Sequence, residues 1–271
     1  MVLAVPWTRP LLAATSSALA AAVVAYNGGG AVPLWVVSAL GVATVATFGS
    51  GLAFMGSGLF GRPILGADPA SSAGRLALTF DDGPHPVHTR AVLDLLEERG
   101  HHATFFVIGT RGARHPELLA EIVRRGHALG NHSHAHSWAT AALSVRRLVA
   151  DLQRAQATLR AAGSDPRWFR PPIGIVSPRV SAPTRRAGLR IVGWTASARD
   201  GVRTHPARAL RRLLRGVRPG AILALHDAAE HGEREPVALR VLPRLLDELD
   251  SRKLRSVTID ELLAPAARAR T

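Results

Sequence analysis

From Pro10 to Gly61 the chain carries no Asp, Glu, Lys, Arg or His. No other feature constrains the fold as strongly, because helices on a soluble protein almost always present a polar face, and this block has no charge to supply one. It divides into two apolar stretches, Leu11–Tyr26 and Ala31–Phe54, with Asn27-Gly28-Gly29-Gly30 as a turn between them. At about 1.5 Å per residue the second stretch is long enough to cross a hydrocarbon core of about 30 Å. The first is shorter and Ala-rich, and Ala18-Leu19-Ala20 resembles a signal-peptidase site. Three arrangements stay open: a two-helix membrane hairpin, a cleaved signal followed by one span, and an uncleaved pair lying partly in the membrane. The hairpin is favoured, which makes residues 1–61 a membrane segment touching lipid through residues 11–54. Arg9 and Arg62 flank the block at opposite ends, so the excess of positive charge on cytoplasmic loops gives no clear orientation.

The chain has 271 residues, 47% of them apolar, enough to bury a substantial core without staples. It has no cysteine, which excludes disulfides and Cys-based zinc sites. Its net charge of +14 is carried almost wholly by arginine, Lys253 being the only lysine. The arginines are scattered and are not interleaved with aromatics, so no nucleic-acid partner is expected.

Residues 62–74 contain Pro63, Pro69, Ser71 and Ser72 and read as a linker, leaving residues 75–271 as a second domain. There strand-like and helix-like segments alternate. Strands are predicted at Arg75–Phe80, Ala103–Gly109, His127–His132, Trp168–Arg170, Leu189–Thr195, Ala221–His226 and Leu254–Val257. Helices are predicted at Thr89–Arg99, Pro116–Arg125, Ala141–Ala162, Pro178–Ala187, Pro206–Arg215, Val237–Leu249 and Ile259–Leu263. About seven such units point to a parallel α/β sheet closed into a distorted (β/α)7–8 barrel.

In a parallel barrel the reactive side chains gather at the carboxyl ends of strands. The distinctive polar residues fall at such ends: Asp81 and Asp82, His132 and His136, Arg170, and His226-Asp227. Adjacent carboxylates ending an apolar strand raise at least one pKa unless a cation intervenes. Gly83-Pro84 would splay the pair, so that one carboxylate binds a metal while the other handles protons; the plainer alternative is a turn at Asp82-Gly83 with Asp81 as a cap. In His132-Ser133-His134-Ala135-His136 the outer histidines share a face if the segment is helical. With a carboxylate they would make a two-nitrogen, one-oxygen set that suits zinc or another divalent transition metal. His134 cannot join that face, and His101, His102, His115 and His205 read as surface residues. Phe169-Arg170-Pro171-Pro172-Ile173-Gly174 is a stiff turn, whose arginine could orient Asp81 through its planar fork or could simply be solvated. His226, ending Leu223-Ala224-Leu225, could protonate a leaving amine or be structural.

The TFDDGP run at Thr79–Pro84, the HSHAH run at His132–His136, the RPPIG run at Arg170–Gly174 and the LALH run at Leu223–His226 stand in the order and spacing of a known family. Over about Arg75–Leu263 the chain resembles the polysaccharide deacetylases, also called carbohydrate esterase family 4. The resemblance implies a distorted barrel, Asp82, His132 and His136 as ligands of a divalent metal (zinc first, cobalt or nickel as alternatives), and Asp81 as general base. It further implies His226 as the acid that protonates the departing sugar amine, Arg170 steadying Asp81, Asp200 tuning His226, and the Ile173 backbone N–H in the oxyanion site. Pro172 and Trp194 are implied in substrate binding. Two positions depart from the family pattern. Ser197 and Gly201 stand where many members have a second Asp and a Trp, so the substrate groove is expected to lack that aromatic wall. The implied function is metal-dependent removal of N-acetyl groups from amino sugars of a peptidoglycan- or chitin-like cell-wall or surface glycan. Two alternatives are a lipid-linked sugar as substrate and an inactive glycan-binding module. A monomer at the cell membrane is expected, its catalytic domain extracytoplasmic because such a substrate lies there.

Overall fold

The computed structural model describes residues 2–3, 8–30, 32–53, 61–137, 143–201, 204–228 and 234–264. The two apolar stretches become α1 (Thr8–Asn27) and α2 (Leu34–Ala53), preceded by the short strand β1 (Val2–Leu3). The helices pack on one another, and Ala22 and Thr47 are buried. Their outward faces are apolar: Val24, Trp35, Val42 and Val45 are each 70–72% exposed. The hydroxyls of Thr15, Thr44, Thr47 and Ser50 each donate to a carbonyl three or four residues back. Among the described residues, Arg9–Asn27 is long and apolar enough to cross a membrane, and the described apolar part of α2, Leu34–Ser50, is shorter. The first helix gains its length by starting at Thr8, with Pro10 in the first turn, where a missing N–H costs no hydrogen bond.

The expected linker is also more ordered than its Pro and Ser content suggests. Strand β2 (Ile64–Gly66) pairs antiparallel with β1, Val2 opposite Gly66 and Leu3 opposite Ile64. The chain thus leaves for the helical pair and returns at one place. Ile64 and Ala67 are buried, because this short apolar run fills a seam in the main sheet.

That sheet is built from β3 (Arg75–Asp81), β4 (Ala103–Val107), β5 (Ala128–Asn131), β6 (Trp168–Phe169), β7 (Arg190–Ile191), β8 (Ala196–Ser197), β9 (Ile222–His226) and β10 (Arg255–Ser256). The intervening helices are α3 (His88–Glu98), α4 (Gly109–Arg114), α5 (Pro116–Arg124), α6 (Val145–Ala161), α7 (Pro178–Arg186), α8 (Pro206–Gly216), α9 (Val237–Ser251) and α10 (Ile259–Leu263). Strand order is β7-β6-β5-β4-β3-β9-β8, with β10 on β3, and every pairing is parallel. The edge strands β7 and β8 are joined by residues 192–195 alone, a link that spans at most about 17 Å. The sheet must therefore curl until its edges approach, giving a parallel half-barrel. Ile64 bridges to Val192 and Gly66 to Ala221 across the gap.

Of the strand predicted at Leu189–Thr195 only Arg190–Ile191 forms β7; residues 192–195 link the two edges, and β8 lies beyond the predicted range. The strand predicted to reach Gly109 stops at Val107 and gives way to α4, which was not anticipated. Residues 141–142 of the helix predicted from Ala141 lie outside the described residues. His101 is corrected from surface to interior: its Nδ1 accepts from the Ser256 N–H at 3.1 Å.

Strand periodicity sorts the core. Leu76, Leu78 and Phe80 face α3 and α9 in the larger cluster, with Val92, Leu96, Leu242 and Leu245. Ala77, with Ile64, Phe106, Trp168, Val192 and Ile222, forms a second cluster in the barrel interior. Thr79 and Asp81 continue that inner row towards the carboxyl end of β3.

Candidate active site

Asp81 ends β3 in register with His226 at the end of β9. Asp82 adopts a left-handed backbone (φ 72°), and the Gly83-Pro84 peptide is cis. The two carboxylates diverge because the backbone turns at Asp82 itself, one residue earlier than the expected turn at Gly83-Pro84. Arg111 Nη1 donates to the Asp82 carbonyl at 2.7 Å, and the Ile108 N–H to the Gly83 carbonyl at 3.0 Å.

The segment His132–His136 is not helical, so the periodicity argument for pairing its outer histidines fails. They converge because the loop is folded by other means, with Ser133 (φ 66°) and His136 (φ 47°) left-handed. Asn131 Oδ1 accepts from the Ser133 N–H at 2.9 Å, and Ser133 Oγ from the His136 N–H at 3.0 Å. The Asp151 carboxylate, on α6, accepts from the N–H groups of His134 (2.8 Å) and Ala135 (3.2 Å). The first N–H groups of α4, on Gly109 and Thr110, donate to the carbonyls of Ser133 and His134. A Cβ on Gly109 would come within 2.6 Å of His134 Nδ1 and 3.0 Å of the α6 backbone, so this approach requires glycine.

His132 Nδ1 lies 2.7 Å from the Arg170 carbonyl oxygen, which can only accept. In the neutral ring the proton therefore sits on Nδ1, and Nε2 presents a lone pair. Nε2 of His132 and of His136 lie 3.3 Å and 3.2 Å from one oxygen, Asp82 Oδ1, and candidate ligand atoms of the three residues all fall within 4.8 Å of one another. Asp82 Oδ1 is buried with no hydrogen-bond partner among the described residues. A lone pair facing a buried carboxylate oxygen is repulsive unless a cation lies between them. Two imidazole nitrogens and one carboxylate oxygen fit a divalent transition metal and leave positions open. Burial pushes the Asp82 carboxyl up, but contact with His132 and the charges of His226, His132 and His136 outweigh it and hold the group well below the usual carboxylate range.

Asp81 is gripped from behind. Arg170 is fully buried, its Nη1 donating to Asp81 Oδ1 at 2.7 Å and to Thr79 Oγ1 at 2.8 Å, its Nη2 to the Gly193 carbonyl at 2.9 Å. Its guanidinium lies over the Phe106 ring at 4.1 Å and the Trp194 ring at 5.6 Å. Opposite, His226 Nδ1 is 2.7 Å from Asp200 Oδ1, and the His226 N–H donates to Asp200 Oδ2 at 3.2 Å. Burial pulls the His226 imidazole down; Asp200 foremost, then Asp82 and Asp81, overcome this and push it up to about 10. Its Nε2 lies 3.9 Å from Asp82 Oδ2.

Asp81, Asp82, His132, His136, Ile173, Trp194 and His226 all line one cavity of about 330 Å³. Arg170 and Asp200 stand behind its wall. Ile173, half exposed at the rim, is left-handed (φ 60°, ψ 0°). Pro172 is buried beneath the rim, and Pro171 lines the cavity instead. The sequence reading missed Asp151, whose carboxylate shapes the histidine loop from a helix distant in sequence. It also assigned no role to Asp227, which accepts from Thr89 Oγ1 at 2.5 Å. Burial foremost pushes the Asp227 carboxyl up to about 7, the Asp82 and Asp81 charges adding to it and the Thr89 hydrogen bond opposing. Only its place after a strand-end histidine could have drawn attention to it.

The polysaccharide deacetylase family model matches residues 68–192. A peptidoglycan-N-acetylglucosamine deacetylase of Bacillus cereus is 33% identical over 190 residues, covering 69% of this chain and 87% of that protein. The chain belongs to the polysaccharide deacetylase family. This deacetylase is also 39% identical over 158 residues to a chitooligosaccharide deacetylase of Bradyrhizobium, covering 58% of this chain and 72% of that one. Among solved structures, a family 4 carbohydrate esterase from Streptomyces lividans in complex with acetate superposes with a TM-score of 0.63 at 28% identity, covering 72% of this chain and 97% of that one. Carbohydrate deacetylation is therefore the activity class of the site.

Proposed function

We propose that this deacetylase is a membrane-anchored, metal-dependent hydrolase that removes N-acetyl groups from amino sugars of a peptidoglycan- or chitin-like glycan. The observation that carries the reading is the meeting, in one cavity, of the Asp82–His132–His136 ligand set, a carboxylate held by Arg170 and an imidazolium held by Asp200. A divalent cation on the ligand set, zinc first, would supply Lewis-acid polarisation of the acetyl carbonyl and of the attacking water. Asp81, with Oδ1 committed to Arg170, takes the water's proton on its other oxygen. His226 Nε2 gives a proton to the departing amine, and Asp200 keeps Nδ1 protonated so that only Nε2 faces the substrate. The backbone N–H of Ile173, at the rim, stabilises the developing oxyanion.

The helical pair anchors the enzyme as a hairpin. Its large exposed side chains are apolar, and the hydroxyls of Thr15, Thr44, Thr47 and Ser50 are satisfied within their own helices, as hydrocarbon demands. The catalytic domain faces the glycan outside the cytoplasm, as a monomer. The test is acetate release by the full chain in neutral detergent, assayed on peptidoglycan and chitin oligomers with zinc, cobalt or nickel supplied. Metal-dependent release is expected; no acetate with any of the three would refute the reading.

A further inference from the structure

The catalytic cavity does not end at His226. A second cavity of about 380 Å³ shares Trp194, Ser197 and Arg199 with it and is lined further on by Arg212 and Arg215, with no acidic side chain in its wall. We propose that this extension is an anion subsite, and that the preferred substrate is an N-acetylhexosamine bearing a phosphate beside the acetamido group. This rests on the deacetylase chemistry of that same site and puts a phosphorylated amino sugar ahead of the peptidoglycan- or chitin-like glycan as its substrate.

Four observations lead there. First, the guanidiniums of this cavity are not neutralised by acids. Among the described residues, Arg199 and Arg215 have no carboxylate partner. The nearest acid in sequence, Asp200, commits both oxygens to His226. Second, Arg199 is held in place although its backbone is left-handed (φ 54°). Its N–H donates to Ser197 Oγ at 3.0 Å, its carbonyl accepts from Thr204 Oγ1 at 2.6 Å, and Arg212 Nη1 ties the preceding Ala198 carbonyl to α8. Third, Gly201 leaves the wall beside His226 open. A Cβ there would lie 3.0 Å from His226 Nε2 and 3.1 Å from Cε1, so even alanine would crowd the proton donor. Fourth, the chemistry matches. In a 2-acetamido sugar the C1 and C3 substituents sit on the carbons next to the one bearing the amide, so an amine leaving towards His226 carries its neighbour towards Arg199. Three planar guanidiniums favour a dianionic phosphate over a carboxylate.

The test uses the zinc-loaded full chain in neutral detergent and the probes N-acetylglucosamine 1-phosphate, N-acetylmuramic acid and chitotriose. Binding of the first is followed by its phosphorus NMR signal, and acetate release from all three gives kcat/KM. The expected result is a preference for the phosphorylated sugar over both others. In R199Q/R215Q its binding should weaken about tenfold or more, KM rising while kcat holds. R199K/R215K should recover part of the affinity. R240Q/R244Q, which removes the same charge from the exposed face of α9, should keep the preference. Phosphate-sugar binding as tight in R199Q/R215Q as in the unaltered chain would overturn the subsite, as would an equal loss in R240Q/R244Q. Absence of acetate from every probe would refute the deacetylase reading, while the NMR comparison still decides whether the arginines hold phosphate.

Discussion

The two walls of the catalytic cavity are built differently. On the wall formed by the ends of β3, β5 and β6, Asp81, Asp82, His132 and Arg170 are buried, and the bonds that orient them are anchored to strands or helices. The wall after β8, from Ser197 to Gly201, is a loop that carries an exposed arginine and a glycine in place of a side chain. The difference teaches where each property of the enzyme resides. Reacting groups need positions good to a fraction of an ångström, which only packed elements supply. Substrate choice needs a surface that can change without disturbing them, which a loop supplies.

This contrast can be broken from the buried wall outward. D82A should lose metal retention and lower kcat about 10³-fold, whereas D81N should keep its metal and lower kcat about 10²- to 10⁴-fold. Metal analysis beside steady-state kinetics checks both, and a D81N enzyme with ordinary turnover would remove Asp81 as base. R170M strands a buried carboxylate and should cost about 3–5 kcal/mol of stability, read by denaturant unfolding. The corresponding loop substitution, R199Q, should leave stability within about 0.5 kcal/mol.

The pH dependence sharpens the same comparison. In the proposed mechanism His226 acts protonated, and Asp200 is the largest influence raising it. D200N should therefore move the alkaline limb of kcat/KM to lower pH, and an unmoved limb would mean that another group sets it. Acid inactivation needs a separate account. His127, buried with Nδ1 accepting from the Ala103 N–H at 3.1 Å, is lowered from 6.5 to about 4, by burial foremost. Its unfolded form binds a proton first as pH falls, so stability is fully present above about 6.5 and is lost on descending to about 4. The loss is about 3 kcal/mol at most, and unfolding curves at pH 7 and pH 4.5 measure it. The smallest effect on turnover is expected from G201A, whose methyl displaces the His226 ring by a few tenths of an ångström and should lower kcat several-fold. Full activity in G201A would show that the loop yields freely.

Much of the site was legible in the chain before its fold. The strand-end positions of Asp81, Asp82, Arg170 and His226 follow from strand–helix alternation, since a buried parallel strand shows its apolar run plainly and reactive groups follow it. The reason offered for the histidine pair was not legible. A spacing of four residues suggested a helix face, but the ring convergence comes from Asn131, Asp151 and the start of α4, held by hydrogen bonds that no local pattern encodes. Asp227 and the arginines beyond Trp194 were invisible for a similar reason. Their significance lies in what they lack or share across the sheet, such as a missing carboxylate partner, a hydroxyl from α3 or an open space at Gly201.

By itself, then, the sequence determined the two apolar helices, the parallel α/β class and the polar groups that stand at the strand ends, because period, composition and short motifs are local properties of a chain. The tertiary structure decided that Ile64–Gly66 is a strand bridged to the main sheet, that residues 192–195 link the two edges of that sheet, and that Arg199, Arg212 and Arg215 share a cavity. Those outcomes depend on the curl of the sheet, which brings residues far apart in sequence to the same few ångströms. The Asp81–Asp82 pair belongs to both accounts: its two carboxylates are written in adjacent residues, and their divergence in the backbone turn at Asp82.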